Sequence, residues 1–401
     1  MSCETVKERV EPIYDPSKER VYGKNLSTSG PLRFDQLYSA FVELRSNGGK
    51  AAGPDGLRFD SLSEGQWLLK LRHVHERLAD KTYAPGLTRL KSIAKPDGGK
   101  RELRIANILD RCVQKAVGSV VSNLIDTKFK PWSFGFRPKL SRFHMLLNIE
   151  CAYLQGFTHV SIMDVTKAFD CVRKRDVMNA LDELGVSDRS LRELISLIVS
   201  CGGRKNIGLN QGSALSPVLF NAFMDAYFDR PLENHSRFDC NKQRIFRYAD
   251  DIVLMGRDSG SVSDLVNIAT AALSKKHLSV CTKNVTDIKT SPVTILGFHL
   301  IGRDHRIEYR TSDQSWSKLL SNLDACHQQK DPVGSARQVL QGWLNSNAPV
   351  VWSEEHEGKH LTRILETISL DLNPSDLKPD QSVWKDLRDD ILKDRIRKPQ
   401  D

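Results

Sequence analysis

Apolar residues recur along the chain at two different spacings. In most segments they return every three or four positions, which predicts amphipathic helices. Shorter apolar runs over 157–163, 245–255 and 293–301 are typical of strands, and 87–108 contains two more. After about Thr311 only the helical spacing remains, so we expect an α/β (α+β) chain with a helical last part. The predicted helices cover 34–44, 64–78, 109–124, 173–184, 190–199, 218–227, 261–278, 316–326, 335–344 and 361–370.

Two adjacent carboxylates, Asp250 and Asp251, interrupt the apolar run 245–255. Successive side chains of a strand point to opposite faces, so the pair cannot share one face of a flat strand. Burying two like charges side by side also costs free energy unless a cation compensates them. We therefore predict a tight hairpin turn that exposes both residues. An acidic turn on the surface, without any function, would give the same local pattern.

A third carboxylate, Asp164, directly follows the predicted strand 157–163. A carboxylate at the end of a strand is partly exposed and can bind a metal ion. Two carboxylates from different elements can hold Mg²⁺ and still leave coordination positions for water and phosphate oxygens. Asp164 and Asp250 together therefore predict a two-metal site.

The charge of the chain is concentrated in one segment. The whole chain carries a formal net charge of +9, whereas residues 81–142 hold 14 Lys and Arg against 4 Asp and Glu. A concentrated basic face suits a polyanion such as nucleic acid or a nucleoside triphosphate. A solvated lysine-rich surface is the alternative.

Cysteine spacing and hydropathy exclude several classes of protein. The eight cysteines are scattered without a C-x-x-C pair, which argues against a zinc site and a disulfide framework. The chain contains no run of about 20 apolar residues, so no membrane span is predicted. The first residues also lack the apolar core of a signal peptide. We therefore expect a cytoplasmic protein.

Three loops carry residues suited to binding nucleotides or nucleic acid. Residues 95–101 (Lys-Pro-Asp-Gly-Gly-Lys-Arg) predict a hairpin whose cations can contact a triphosphate. The loop 132–138 combines aromatic residues with Arg137, which suits base stacking and phosphate contact, although its aromatic residues could equally fill the core. The loop 208–217 opens an apolar helix, and its backbone amides could face a phosphate or a base pair.

In chain order, these stretches resemble a bacterial reverse transcriptase of the group II intron and retron type. Residues 248–251 (Tyr-Ala-Asp-Asp) resemble the Y-x-D-D box, and 164–170 resemble the motif of the first catalytic aspartate. Residues 211–217 match the Q-G-x-x-x-S-P loop, and 135–138 resemble the G-F-R-P motif. Residues 296–298 (Leu-Gly-Phe) resemble the primer-grip strand, and 336–345 resemble a thumb helix of intron-encoded enzymes.

The resemblance implies a right-hand polymerase that is an RNA-directed DNA polymerase, a nucleotidyltransferase. It implies two Mg²⁺ ions, with Mn²⁺ as a substitute, and an RNA template, a DNA primer and dNTPs as partners. Phe169 resembles the steric gate, whose ring would exclude the 2′-hydroxyl of a ribonucleotide. Lys95 and Arg101 resemble the triphosphate-binding pair. The implied catalytic or metal-binding residues are Asp164, Val165, Asp250 and Asp251; the nucleotide-binding residues are Lys95, Arg101, Phe169, Gln211 and Lys283; the nucleic-acid-binding residues are Arg137, Gly212, Tyr248, Leu296 and Gly297.

The resemblance also divides the chain into parts. We expect an N-terminal arm over 1–30, fingers over 31–155, a palm over 156–305 with a fingers insertion near 172–205, and a helical thumb with a basic tail over 306–401. Residues 138–141 (Pro-Lys-Leu-Ser) replace the usual Pro-Gly-Arg-Ser, and the retron-specific signatures are absent.

No His-Asn-His nuclease pattern follows the thumb, which favours a stand-alone enzyme. By analogy with domesticated lineages, we expect it to make cDNA from a cognate noncoding RNA in antiphage defence. The alternatives are a non-catalytic RNA-binding or maturase-like protein, and untemplated or protein-primed DNA synthesis. The oligomeric state stays open.

Overall fold

A computed structural model of the chain describes residues 30–94, 99–201, 206–350, 357–368 and 380–396. The helices are α1 (Phe34–Asn47), α2 (Glu64–Ala79), α3 (Ile108–Ile125), α4 (Arg142–Leu154), α5 (Ala168–Cys171), α6 (Lys174–Glu183), α7 (Arg189–Ser200), α8 (Ser216–Met224), α9 (Arg230–Glu233), α10 (Ser259–Ser274), α11 (Asp313–Asp324), α12 (Pro332–Ser346), α13 (Lys359–Ile368) and α14 (Ser382–Ile396). The strands are β1 (Arg89–Ala94), β2 (Lys100–Ile105), β3 (His159–Val165), β4 (Gln243–Tyr248), β5 (Asp251–Gly256), β6 (Val280–Thr282), β7 (Thr286–Asp287), β8 (Val293–Ile295), β9 (Phe298–Arg303) and β10 (Arg306–Thr311). Helices and antiparallel sheets together confirm the predicted α+β class.

Several helix starts follow from local chemistry. Ser63 accepts a hydrogen bond from the Gln66 amide and so caps α2, while the side-chain oxygen of Gln66 accepts a hydrogen bond from the Ser63 amide. The Asp331 side chain caps α12 by accepting a hydrogen bond from the Gly334 amide, and Pro332 occupies the first helical position. The helix α4 lacks an amphipathic spacing because residues 145–153 are buried on every side. Such a helix cannot be recognised from its period.

The chain divides into two compact units. The first comprises residues up to Thr127 together with Val172–Leu219. Its helices α1, α2 and α3 pack around a core that includes Phe34, Phe41, Trp67, Leu71 and Ile108. Strands β1 and β2 form an antiparallel hairpin in this unit. The turn predicted at 96–99 lies outside the described residues except for Gly99.

The second unit comprises Lys128–Cys171 and Phe220–Asp401. Its larger sheet has the strand order β4-β5-β3-β6, with β7 also paired to β3, and its smaller sheet has the order β10-β9-β8. A core that includes Phe157, Met255, Phe298 and Leu300 lies against these sheets. A separate core joins α11, α12 and α13. Among the described residues, no helix has both the length and the hydropathy that crossing a bilayer requires.

The prediction of one continuous strand over 293–301 is wrong. Strands β8 and β9 form a hairpin in which Ile295 pairs with Phe298, so Leu296 and Gly297 form a two-residue turn. Both turn residues have a positive φ, 48° and 87°. The backbone twist of such a turn matches the twist of the strands it joins, and glycine favours the second position because it has no Cβ. An apolar run alone does not reveal this turn.

The predicted division into arm, fingers, palm and thumb stays a prediction. Of the predicted arm, residues 1–29 lie outside the described residues, as do 397–401 of the predicted basic tail.

Candidate active site

The Asp-Asp segment forms the predicted hairpin turn between β4 and β5. Tyr248 pairs with Asp251, so Ala249 and Asp250 are the two turn residues. Ala249 has φ +59°, a left-handed conformation that is uncommon for a residue with a Cβ. Asp251 is already the first residue of β5. The two carboxylates therefore leave the backbone at different points, one from the turn and one from the strand.

The register of the sheet brings Asp164 to this turn. Strand β5 lies between β4 and β3, and Asp251 pairs directly with Asp164 across the antiparallel ladder. Directly opposed residues of antiparallel strands point to the same face of the sheet. The Val165 amide also donates a hydrogen bond to the Asp250 carbonyl, at 3.4 Å. Asp164, Asp250 and Asp251 therefore lie together at one end of the sheet.

The electrostatics of Asp251 reflect this crowding. The pKa of Asp251 is raised to about 6, first by the loss of hydrating water and then by the charges of Asp250 and Asp164. Lys283 opposes this effect and lowers the pKa, so its ammonium group acts on the same site. The Lys283 amide donates to the Ile162 carbonyl at 2.8 Å, which ties it to β3 next to the aspartates. Negative charge is thus concentrated here.

The donor set fits Mg²⁺, because carboxylate oxygens are the ligands that hard cations prefer. Within the part of the chain that the structure describes, no group of three or more His, Cys, Asp or Glu side chains is arranged so that it could hold a metal ion. Mg²⁺ usually keeps several water or substrate oxygens as ligands, so one or two carboxylates from the protein are enough to bind it. Asp164, Asp250 and Asp251 would hold the ions; Val165, with its amide bonded to Asp250, stays a predicted ligand.

Phe169 lies in α5, the short helix that follows β3. Its ring stacks on that of Phe220, with a centroid distance of 4.6 Å and an interplanar angle of 24°. Phe220 is fully buried and contacts Phe223 in turn. The Phe169 ring, which is itself only partly buried, is therefore held in a fixed orientation by the core behind it. Such rigidity is what steric exclusion of a 2′-hydroxyl would require.

Four of the predicted nucleic-acid contacts lie in the second unit. Tyr248 is half-buried beside Phe136, at a ring-centroid distance of 6.3 Å. Leu296 and Gly297 form the β8–β9 turn, and Arg142 donates to the Leu296 carbonyl at 3.3 Å. Arg137 donates to the Ser133 carbonyl at 2.8 Å, so its guanidinium supports its own loop. Their contact with nucleic acid stays a prediction.

The other predicted contacts lie in the first unit. The Gln211 carbonyl accepts a hydrogen bond from the Arg104 amide at 2.9 Å, which holds the loop against β2. Gly212 has φ +103°, and a Cβ there would lie 3.0 Å from the Arg104 carbonyl oxygen, so the position strongly favours glycine. Lys95 lies outside the described residues, and only the backbone of Arg101 is described, within β2. The nucleotide-binding roles of these residues stay predictions.

A set of buried polar residues next to the site was missed by the reasoning from sequence. Arg247 is fully buried although it lies between Phe246 and Tyr248 in β4. Asn221, Asp225 and Asp229 are also buried, at intervals of four residues in an otherwise apolar helical segment. A cation inside an apolar strand and a polar stripe on an apolar helix are signals that could have revealed them.

Residues 93–300 match the family model described as "Reverse transcriptase (RNA-dependent DNA polymerase)". The chain is 28% identical over 216 residues to the group II intron-encoded protein LtrA of Lactococcus lactis subsp. cremoris, covering 52% of this chain and 35% of LtrA. It is 27% identical over 234 residues to protein YkfC of Escherichia coli, covering 55% of this chain and 60% of YkfC.

The chain is also 26% identical over 208 residues to a putative COX1/OXI3 intron 2 protein of Saccharomyces cerevisiae, covering 49% of this chain and 23% of that protein. The chain thus spans less than two thirds of each of these relatives. Among solved structures, telomerase from Candida albicans aligns with 78% of this chain and 64% of its own, at 14% identity and a TM-score of 0.42.

Proposed function

The chain belongs to the reverse transcriptase family, and from this premise we propose that it is an RNA-directed DNA polymerase that extends a primer with dNTPs. The observation that carries the proposal is the meeting of Asp164 with Asp250 and Asp251 at the end of the larger sheet. The family match spans both segments that supply these aspartates. The negative charge that Asp250 and Asp164 place beside Asp251 gives the site a reason to bind cations.

The residues of the site divide the work of nucleotidyl transfer. Asp164, Asp250 and Asp251 would hold the metal ions and so fix where the triphosphate and the primer end meet. When bound, Mg²⁺ supplies Lewis-acid stabilisation of the attacking and leaving oxygens. Lys283 adds a positive charge beside the aspartates, where it can stabilise the leaving pyrophosphate. The Phe169 ring, held by Phe220, excludes a ribose 2′-hydroxyl.

A primer-extension assay tests the proposal. The purified protein, Mg²⁺, dNTPs and a primed RNA template should give extended DNA. Asp250→Asn removes a ligand charge with almost no change in volume and should reduce extension by at least about 100-fold. Asp264→Asn is the matched control, because Asp264 is exposed on α10, and it should keep full activity. Equal extension by wild type and Asp250→Asn would refute the assignment.

We also propose the finer role, cDNA synthesis from a cognate noncoding RNA in the cytoplasm during antiphage defence. The basic segment 81–142 supports an RNA partner, and the relatives named above include intron-encoded proteins. Sequencing the RNA and DNA that copurify with the wild type and with Asp250→Asn would identify template and product. Product DNA without a matching RNA would indicate untemplated synthesis instead. RNA bound equally by both proteins, with no DNA, would indicate a binding protein.

Phage challenge of cells carrying either protein tests the biological role. Protection should require the wild-type aspartate and disappear with Asp250→Asn. Protection that persists in the variant would show that defence does not need the polymerase activity. No protection by the wild type would contradict the defence role.

A further inference from the structure

A buried ionic network lies next to the active-site turn. Arg247 and Asp229 both have side chains with 0% solvent exposure. The Arg247 Nε donates to both carboxylate oxygens of Asp229 at 3.1 Å, and Nη2 donates to Oδ2 at 2.5 Å. The Trp132 indole also donates to Asp229, at 3.1 Å. Arginine is almost never fully buried unless it is paired, so this arrangement needs a physical reason.

The rest of the guanidinium reaches three further groups. Arg247 Nη2 donates to Ser133 Oγ at 2.8 Å, and Nη1 donates to Asn221 Oδ1 at 3.0 Å. Nη1 also donates to the carbonyl of Ala249 at 3.2 Å. A guanidinium has five N–H donors in a rigid fork. The contacts therefore occupy the whole fork, and one of them goes to the turn that carries Asp250.

The bond to Ala249 constrains the aspartates directly. The Ala249 carbonyl belongs to the peptide unit that continues into Asp250, so rotating it would also rotate the backbone of Asp250. Ala249 has φ +59°, which for a residue with a Cβ persists only where the surroundings hold it. A fixed donor at its carbonyl supplies such a constraint. Asn221 extends the constraint, because its amide donates to the Gly135 carbonyl at 2.6 Å, in the loop packed against the same turn.

Stability alone does not account for the network. A buried ion pair is often no more stabilising than well-packed apolar residues of similar volume, since desolvation offsets the attraction. What apolar residues could not do is donate a hydrogen bond to the Ala249 carbonyl.

We propose that Arg247 is a positioning residue, held by Asp229, that fixes the Ala249 carbonyl and thereby places Asp250 and Asp251 for catalysis. This inference rests on the proposed polymerase function. It predicts that mutation can separate two effects of Arg247. Removing Arg247 and Asp229 together avoids an unpaired buried charge, but only the guanidinium can hold the Ala249 carbonyl and so place the aspartates.

The test compares single and paired substitutions. Arg247→Met alone leaves Asp229 buried without its partner and should lower the melting temperature. Arg247→Met combined with Asp229→Leu removes both charges and should recover part of that loss, because no unpaired charge stays buried, although polar groups such as the Trp132 indole lose their partner. The double variant should still have a kcat about 10- to 100-fold below wild type, with the KM for dNTP within twofold, since displacing a catalytic group by about 1 Å costs on the order of 100-fold. Arg247→Lys should give an intermediate kcat.

The matched control is Arg244→Met, which changes an arginine on the same strand that lies over the Phe157 ring. It should keep the wild-type kcat. Recovery of both melting temperature and kcat in the double variant would overturn the proposal and reduce Arg247 to a structural ion pair.

Hydrogen exchange at the active-site turn distinguishes failure of the positioning role from failure of the proposed polymerase function. The amides of Asp250 and Asp251 should exchange faster in the double variant than in wild type, whether or not the protein polymerises. Unchanged exchange would overturn the positioning role, while a wild type that fails to extend primed RNA would overturn the polymerase assignment alone.

Discussion

Replacing Gly135 by alanine should displace the active-site turn without touching any aspartate. A Cβ at Gly135 would lie 2.4 Å from the Ala249 nitrogen and 2.9 Å from the Tyr248 carbonyl carbon. Both are backbone atoms, which cannot rotate away as the end of a side chain can. The loop also has little room to retreat, because the Phe134 amide donates to the Arg247 carbonyl and the Arg247 amide to the Trp132 carbonyl, each at 2.8 Å.

The size of the effect follows from these distances. Ordinary van der Waals contact begins at 3.4 Å, so loop and turn must separate by about 1 Å to relieve the contact at 2.4 Å. Overpacking of this kind typically costs about 1–3 kcal/mol of folding free energy. A displacement of about 1 Å at a catalytic group can reduce the rate by about 100-fold. We therefore expect a moderate loss of stability and a much larger proportional loss of kcat.

Primer extension with steady-state kinetics and thermal unfolding checks this expectation. Gly135→Ala should lower kcat by about 100-fold while the protein remains folded at 25 °C. Gly65→Ala is the matched control: apart from its chain neighbours and the nearby backbone of its own helix, no atom lies within 4 Å of its Cβ position, so kcat should not change. A Gly135→Ala protein with wild-type kcat would show that the turn tolerates the displacement, and that its position does not limit the rate.

Three other substitutions test separate features of the structure. Asp225 is buried near Asp229 and pairs with Arg230 at 2.7 Å, and its pKa is raised to about 6 by loss of water and by the charge of Asp229. Its ionisation therefore opposes folding as pH rises from about 4 to 6, and the stability of Asp225→Asn relative to wild type should be roughly 2 kcal/mol greater at pH 7.5 than at pH 4. Chemical denaturation at both pH values measures this, and a pH-independent difference would contradict it. Phe169→Val should raise the kcat/KM for a ribonucleotide relative to its deoxynucleotide by about 10- to 100-fold; an unchanged ratio in single-nucleotide incorporation would exclude the steric gate. Arg388→Met removes the partner of the fully buried Glu150, to which Arg388 is paired at 2.8 Å. The loss of folding free energy should be about 2 kcal/mol, less than is usual for a broken buried ion pair, because Arg388 is 34% exposed. An unchanged free energy of unfolding in denaturant would show that solvent already screens the pair.

The β4–β5 turn shows how far local reasoning reaches. Alternation along a strand is a local property, so two adjacent aspartates in an apolar run were enough to predict a turn between two strands. The turn is present, but it closes at Tyr248 and Asp251, so only Asp250 lies in it and Asp251 begins β5. The same reasoning failed at Leu296 and Gly297, because the turn there interrupts an apolar run without any charge.

The sequence by itself determined the helices with an amphipathic spacing, the turn that carries Asp250, and through its motifs the family to which the chain belongs. Only the tertiary structure decided that Asp251 pairs with Asp164 across the sheet. It alone also decided that Arg247 is neutralised by Asp229, 18 positions earlier in the chain, and bonded to the Ala249 carbonyl. The physical reason is that periodicity and turn chemistry act between near neighbours, whereas strand register and buried hydrogen bonds depend on which distant residues the fold brings together.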